Sequence, residues 1–277
     1  MHILGVHGVG NYDESASDDD RATAWSGHLR SGFGAGPVPE FDLAVAYYAP
    51  ALHLARRQGE GVLDDLSDDE QRAVWAWLEA QGLPEAAIQG RGTKPLRQWL
   101  EWFARKFDLD SRLAEKFVMR FFPEVCTYLD PRHADLRAQA RQIVAQAIED
   151  HQPQVILAHS LGSIVTYEVL WQNPEQQVDL LVTLGSPLAM PTVVYDRLDP
   201  SPRDRPARKP PGVARWVNIA DPGDVVSILR PIGRYFEGVD QDLDPSIHVA
   251  DCHFARHYLS SPTLAAVIGG EMAHSSD

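Results

Sequence analysis

The chain has 277 residues, 44% of them apolar and 23% charged, enough to bury a large hydrophobic core; this excludes a wholly disordered or collagen-like protein. Its 39 Asp and Glu outnumber 25 Lys and Arg, and the net charge of −14 opposes nucleic-acid phosphates and anionic membranes over long range, so nucleic acid is not expected as a partner. Two cysteines make no disulfide framework, no stretch reaches the roughly 18 apolar residues of a membrane helix, and no basic-then-apolar leader pattern opens the chain; the expectation is a cytoplasmic protein with no integral membrane segment.

Ile3–Val6 is an apolar run ending in His7-Gly8-Val9-Gly10. Glycine at that density destabilises a helix, so a buried strand running into a Gly-rich turn is predicted. Asp13, Glu14 and Asp18 to Asp20 lack the alternating spacing of a calcium loop and read as a solvated loop. Residues 42–49 read as a second strand, stopped by Pro50. Ser67 and Glu70 have capping-box spacing ahead of Val74, Trp77 and Leu78, which predicts a helix ended by Gly82 and Pro84. A second helix is predicted from Pro95, with Leu96, Trp99, Leu100, Phe103 and Phe107 on one face. A third begins near Ser111 and carries Leu113, Phe117 and Phe121, and a fourth starts at Pro131 with Leu136, Ala140, Ile143, Val144, Ala147 and Ile148 as its stripe.

Strands then alternate with helices. Residues 154–158 are predicted as a strand, 161–172 as a helix, and 178–184 and 215–220 as further strands. A closing helix has Ser261 as N-cap, Pro262 at its first position and Gly269-Gly270 as its stop. Segment 200–211, with five prolines, reads as an extended solvated connection. Strands separated by helices pair in parallel, so the expected fold class is α/β, a three-layer α/β/α sandwich around a mostly parallel sheet.

The residues that carry chemistry centre on Ala158-His159-Ser160-Leu161-Gly162, between a predicted strand and a predicted helix. A serine there sits at a tight turn that lifts its hydroxyl from the carboxyl edge of the sheet, and small residues at 158 and 162 keep that turn clear of its neighbours. The Leu161 N–H falls at a helix N-terminus, where it can bind a developing oxyanion. With Ala158 in place of the first glycine of G-x-S-x-G, this run resembles the α/β-hydrolase superfamily, in its lipase and esterase branches.

The resemblance implies an oxyanion loop after an early strand, which matches His7-Gly8-Val9-Gly10 and makes the Val9 N–H the second donor. The family's chain order of nucleophile, acid and histidine implies an acid past a later strand, where Asp221 and Asp224 both stand. Asp224, followed by Val-Val-Ser, resembles the lipase acid, and Asp221 is the alternate. The base must follow, which leaves His248, His253, His257 and His274. His274 lies in a polar tail; His253, on the loop before the closing helix, matches the family's placement, with His257 and His248 as alternates.

The implied function is a serine hydrolase acting on a small-molecule or lipid-like carboxylic ester through an acyl-enzyme, with neither metal nor cofactor required. A thioesterase, acyltransferase or peptidase would use the same groups, and the alternative class is a catalytically silent hydrolase fold that serves as a binding module. The chain is expected to be one domain over 1–277, with residues 51–130 as an aromatic-rich helical insertion that caps the acyl pocket. Trp102, off the stripe of its helix, is the residue of that insertion that could face a substrate. Leu184-Gly185-Ser186-Pro187 reads either as a pocket-lining turn or as a plain end of a strand. Cys126 and Cys252 lack partners at metal-ligand spacing and read as packed or idle thiols.

Overall fold

A computed structural model describes residues 1–53, 62–84, 96–107, 109–202, 207–227, 229–247 and 253–274. In chain order its strands are β1 (His2–Val6), β2 (Asp42–Ala46), β3 (Val155–His159), β4 (Val178–Leu184), β5 (Ala207–Arg208), β6 (Val213–Ile219), β7 (Phe236–Glu237) and β8 (Gln241–Leu243). Six of them form one parallel sheet in the order β2-β1-β3-β4-β6-β8, and β5 pairs with β7 in a separate parallel ribbon.

Strand side chains alternate between two buried faces, the expected pattern for a parallel sheet covered on both sides. Leu4, Val6, Ile156 and Ala158 face one core, while Ile3, Val155, Leu157 and Val182 face the other. The first core is shared by α2 (Ala49–His53), α3 (Asp68–Ala80), α4 (Leu96–Lys106), α5 (Ser111–Leu129), α6 (Ala134–His151) and α7 (Leu161–Gln172). The second is covered by α1 (Asp18–Gly32), α8 (Ala255–Leu259) and α9 (Pro262–His274). The protein is thus α/β, with a parallel central sheet and helices on both sides. Trp77, Phe103 and Phe121, from the segment between 51 and 130, lie in the same core as Leu4 and Ile156 of the sheet. Among the described residues, no helix is long and apolar enough to cross a membrane.

Several elements differ from the expectation. The acidic run at 18–20 is the first turn of α1 and not a loop. Ser17 Oγ accepts the Asp20 N–H at 3.1 Å and the Asp20 carboxylate accepts the Ser17 N–H at 2.9 Å, while the three aspartates complement the positive end of the helix. β2 stops at Ala46, and Pro50 stands in the first turn of α2 in place of ending the strand. A short 3-10 turn, Pro131–His133, precedes α6. Gly269-Gly270 does not stop α9. Each interior glycine costs only about 1 kcal/mol, and Glu271 beyond them pairs with Arg215 at 2.8 Å. In the proline-rich connection Ala207 is buried and pairs with Phe236, so that stretch is not simply solvated. Pro95 and residues 203–206 lie outside the described residues.

The sheet order reverses between β1 and β3, since β2 lies outside β1 and the later strands are added beyond β3. Open α/β sheets bind ligands in the crevice at the carboxyl ends of such a pair of strands. The helix that leaves β3, α7, is fixed there by a buried charge cluster. Glu168 is fully buried and accepts from the Tyr128 hydroxyl at 2.6 Å, from Arg141 Nε at 2.9 Å and from Arg137. Such a cluster holds position through geometry, because its Coulombic gain is largely offset by desolvation.

Candidate active site

Ser160 joins β3 to α7 with φ 52° and ψ −126°, a backbone conformation that costs a residue with a Cβ on the order of 1–3 kcal/mol. The strain is held by the Ser160 N–H, which donates to the Leu184 carbonyl of β4 at 3.0 Å, and by tight packing of the helix start. A Cβ at position 162 would overlap the carbonyl oxygens of Val6 and His7, so glycine is needed there for α7 to approach β1. Ala158 is fully buried in the same contact region.

The turn after β1 reaches the same place, with Gly8 lying directly against the Ser160 Cβ. His7 braces that turn as a neutral imidazole. Its Nδ1–H donates to the Gly8 carbonyl at 2.9 Å and its Nε2 accepts the Tyr48 N–H at 3.2 Å, a tautomer assigned from those partners. The Tyr48 hydroxyl donates to the His7 carbonyl at 2.7 Å. Burial pushes the His7 pKa down to about 4, against the opposing pull of the Gly8 hydrogen bond. Among the described residues, neither the Val9 N–H nor the Leu161 N–H at the start of α7 has an acceptor, so both are open to a ligand.

His253 Nε2 lies 2.8 Å from Ser160 Oγ, and its Nδ1 lies 3.0 and 2.9 Å from the two carboxylate oxygens of Asp224. Asp224 also accepts from the Tyr258 hydroxyl at 2.6 Å and from the Val226 N–H at 2.8 Å. Burial works to raise its pKa, but the His253 imidazole and these hydrogen bonds outweigh it and hold the carboxyl below the usual carboxylate range. Gly185, at φ 54°, is the reason the carboxylate fits: a Cβ there would lie 2.6 Å from Asp224 Oδ2. The turn at 184–187 therefore backs the carboxylate. Its Ser186 Oγ meets Ser163 Oγ at 2.7 Å, and it does not line the cavity beside His253.

Asp221, the alternate acid, is engaged elsewhere. Its carboxylate accepts from the Gly223 N–H at 2.6 Å and from the Ile247 N–H, and its carbonyl accepts from Arg230. It folds the turn that presents Asp224. His257 stands on α8 with its Nε2 3.3 Å from Arg256 Nε and is not joined to Ser160. His248 and Cys252 lie outside the described residues. Cys126 is buried, and burial pushes its thiol up to about 12.

A cavity of about 510 Å³ opens beside this chain of hydrogen bonds. Val9, Phe103, Phe117, Phe121, His159 and His253 are in its wall. Trp102 is not; it packs against the core with Lys106 5.1 Å from its ring, which removes it as the residue facing a substrate. Ser160 itself is fully buried, and the rings of Phe117 and Phe121 stand edge-on to His253, each at 6.1 Å. The segment from 51 to 130 reaches the acid side too. Trp77 Nε1 and Gln81 Nε2 donate to the Val225 carbonyl at 2.8 and 3.1 Å.

Three parts of this arrangement carry no signal in the linear pattern: the His7–Tyr48 brace, the Tyr258 hydroxyl and the Trp77 hydrogen bond. Each joins residues at least 34 positions apart. His159 belongs with them. It is 5% exposed, its ring lies 5.0 Å from that of His253, and neither ring nitrogen has a partner among the described residues. Comparison with protein-family models, with curated proteins and with solved structures gave no match.

Proposed function

We propose that the protein is a serine hydrolase of the α/β-hydrolase type that cleaves carboxylic esters. The observation that carries this reading is the hydrogen-bonded chain Ser160–His253–Asp224, with its serine at a strained strand-to-helix turn. Asp224 holds His253 in the tautomer whose Nε2 is free to accept, and that nitrogen takes the Ser160 proton as Oγ attacks the ester carbonyl. The oxyanion that forms is bound by the N–H groups of Val9 and Leu161. Its collapse breaks the ester C–O bond, and the alcohol leaves with the proton held by His253. Water, deprotonated by the same imidazole, then attacks the acyl-serine and releases the carboxylic acid.

In this reading residues 51–130 form a cap within a single domain, and α5 is its closing element. The fully buried Ser160 and the two phenylalanines against His253 support a shut position of that cap, with α5 moving out to admit the ester and returning over it before the chemistry. Hydrolysis of phenyl hexanoate tests the assignment. Purified wild-type protein should release phenol, and Ser160→Ala and His253→Ala should each lower kcat by about 10³-fold or more. Equal rates in wild type and both variants would overturn it.

A further inference from the structure

The chain carries a net charge of −14, yet among the described residues no carboxylate stands in the wall of the cavity beside His253. Three cations do: Lys116 and Arg120 on α5 and Arg256 on α8. All three are exposed, and none makes an ion pair among the described residues. Elsewhere cations find carboxylates readily, as Arg132 does with Asp69 and Asp130, Arg141 with Glu168 and Asp199, and Lys209 with Asp240.

Among the described residues, the contacts these three make bring no carboxylate to their charge. The Arg256 guanidinium lies 4.6 Å from the Phe254 ring centre, and Arg120 lies 5.9 Å from the same ring while donating to the Gly10 carbonyl. Glu124, one turn beyond Arg120, turns inward and accepts the Gly10 N–H at 2.8 Å. Behind the cations the wall is apolar, with Phe103, Leu109, Leu113, Phe117 and Val225. An acidic protein repels anions at long range, so an unpaired cationic rim at one cavity focuses the local field in favour of an anion there.

Resting on the serine-hydrolase reading, we propose that the substrate is an ester with an apolar acyl chain and an anionic group, carboxylate or phosphate, on its alcohol portion. Lys116, Arg120 and Arg256 bind that anionic group as specificity-determining residues. The alcohol side is assigned because an anion at the end of the acyl chain would be driven against the phenylalanines and leucines with no partner, a costly burial. Hydrolysis then yields an aliphatic carboxylic acid and an anionic alcohol.

The test compares phenyl hexanoate with para-hexanoyloxybenzoate and para-hexanoyloxyphenyl phosphate, in wild type and in the double variant Lys116→Gln/Arg256→Gln. Arg120 is kept, because it also holds the Gly10 turn. Intrinsic reactivity differences among the esters cancel when each kcat/KM preference is compared between the two proteins. The preference for an anionic ester over the neutral one should fall about tenfold or more in the double variant, and in wild type it should shrink as salt rises. The carboxylate and phosphate arms show which anion is served. An unchanged preference overturns the proposal, as does a stronger wild-type preference for mono-phenyl adipate, which carries its anion on the acyl side.

If phenyl hexanoate is cleaved in a Ser160-dependent way without any anion preference, the hydrolase reading stands and this inference fails. If no ester is cleaved, calorimetric binding of hexyl phosphate decides the anion site by itself. A dissociation constant raised about tenfold in the double variant supports the site, and equal affinity in the two proteins overturns it.

Discussion

The Tyr258 hydroxyl donates to Asp224 Oδ2 at 2.6 Å, and its oxygen accepts the Asp221 N–H at 3.0 Å. One buried phenol thus fixes the spacing of the two aspartates that the sequence offers as candidate acids, Asp224 first and Asp221 as its alternate, and it turns Asp224 toward His253. Tyr258 is a positioning residue, since its hydroxyl meets Asp224 and no reacting atom. Tyr258→Phe leaves the Asp221 N–H without its acceptor and removes a charge-assisted bond from Asp224, which costs roughly 1–3 kcal/mol of stability. It also loosens the hold of the carboxylate on the His253 ring, so kcat should fall about tenfold with KM little changed. Urea unfolding and steady-state kinetics of ester hydrolysis check both parts, and an unchanged kcat would confine Tyr258 to a structural role.

The two aspartates should separate cleanly. Asp224→Asn loses the carboxylate that sets the His253 tautomer, and kcat should fall by about 10⁴-fold, as for the acid of a serine triad. Asp221→Asn keeps the size of a side chain that binds the Gly223 and Ile247 N–H groups and should cost about 1–3 kcal/mol of stability, with kcat within about tenfold of wild type. Steady-state kinetics on folded protein, with folding checked by circular dichroism, distinguishes the two. Equal losses of kcat would contradict the division of roles.

Much of the molecule is legible in the linear chain where local rules suffice. The helix predicted over 161–172 and the strand over 178–184 match α7 and β4 residue for residue, because strong apolar runs and short turns bound them. Ser160 is marked by its own neighbours, Asp224 and His253 only by the chain order and placement that the family resemblance implies, and the structure joins the three by hydrogen bonds. α1 is faint in the linear chain for a physical reason. It buries only Trp25, Leu29 and Gly32, so its apolar stripe is faint, and Asp20 takes the capping-box place where glutamate is the usual mark. The roles of Tyr258 and of the His7–Tyr48 brace depend on which strand ends meet, and no local spacing encodes that. The wall of cations is illegible for the same reason, since Lys116 and Arg256 come together only when α5 and α8 approach the same crevice.

Two buried histidines should make the fold acid-sensitive. Burial pushes the His7 pKa down to about 4 and that of His159 down to about 3, the His253 imidazole adding to the effect on His159. Both stay neutral in the folded protein while the unfolded chain takes up protons below its ordinary histidine value of about 6.5. Their contribution is present in full above pH 6.5 and is lost progressively as pH falls toward 4 for His7 and toward 3 for His159. Asp224 acts in the same direction only at more acidic pH, because its folded value lies below the usual carboxylate range. Urea unfolding at pH 7 and pH 4.5 should show this loss, and His159→Phe should reduce it. A loss of the same size in His159→Phe and wild type would contradict the assignment.

The central claim is that Ser160 is a nucleophile activated by His253. Labelling with a fluorophosphonate, which captures only an activated serine, tests it most directly. Wild type should be labelled stoichiometrically at Ser160, His253→Ala should label at least about 10²-fold more slowly, and Ser160→Ala should not label. Equal labelling of wild type and Ser160→Ala, or none of folded wild type, would contradict the claim.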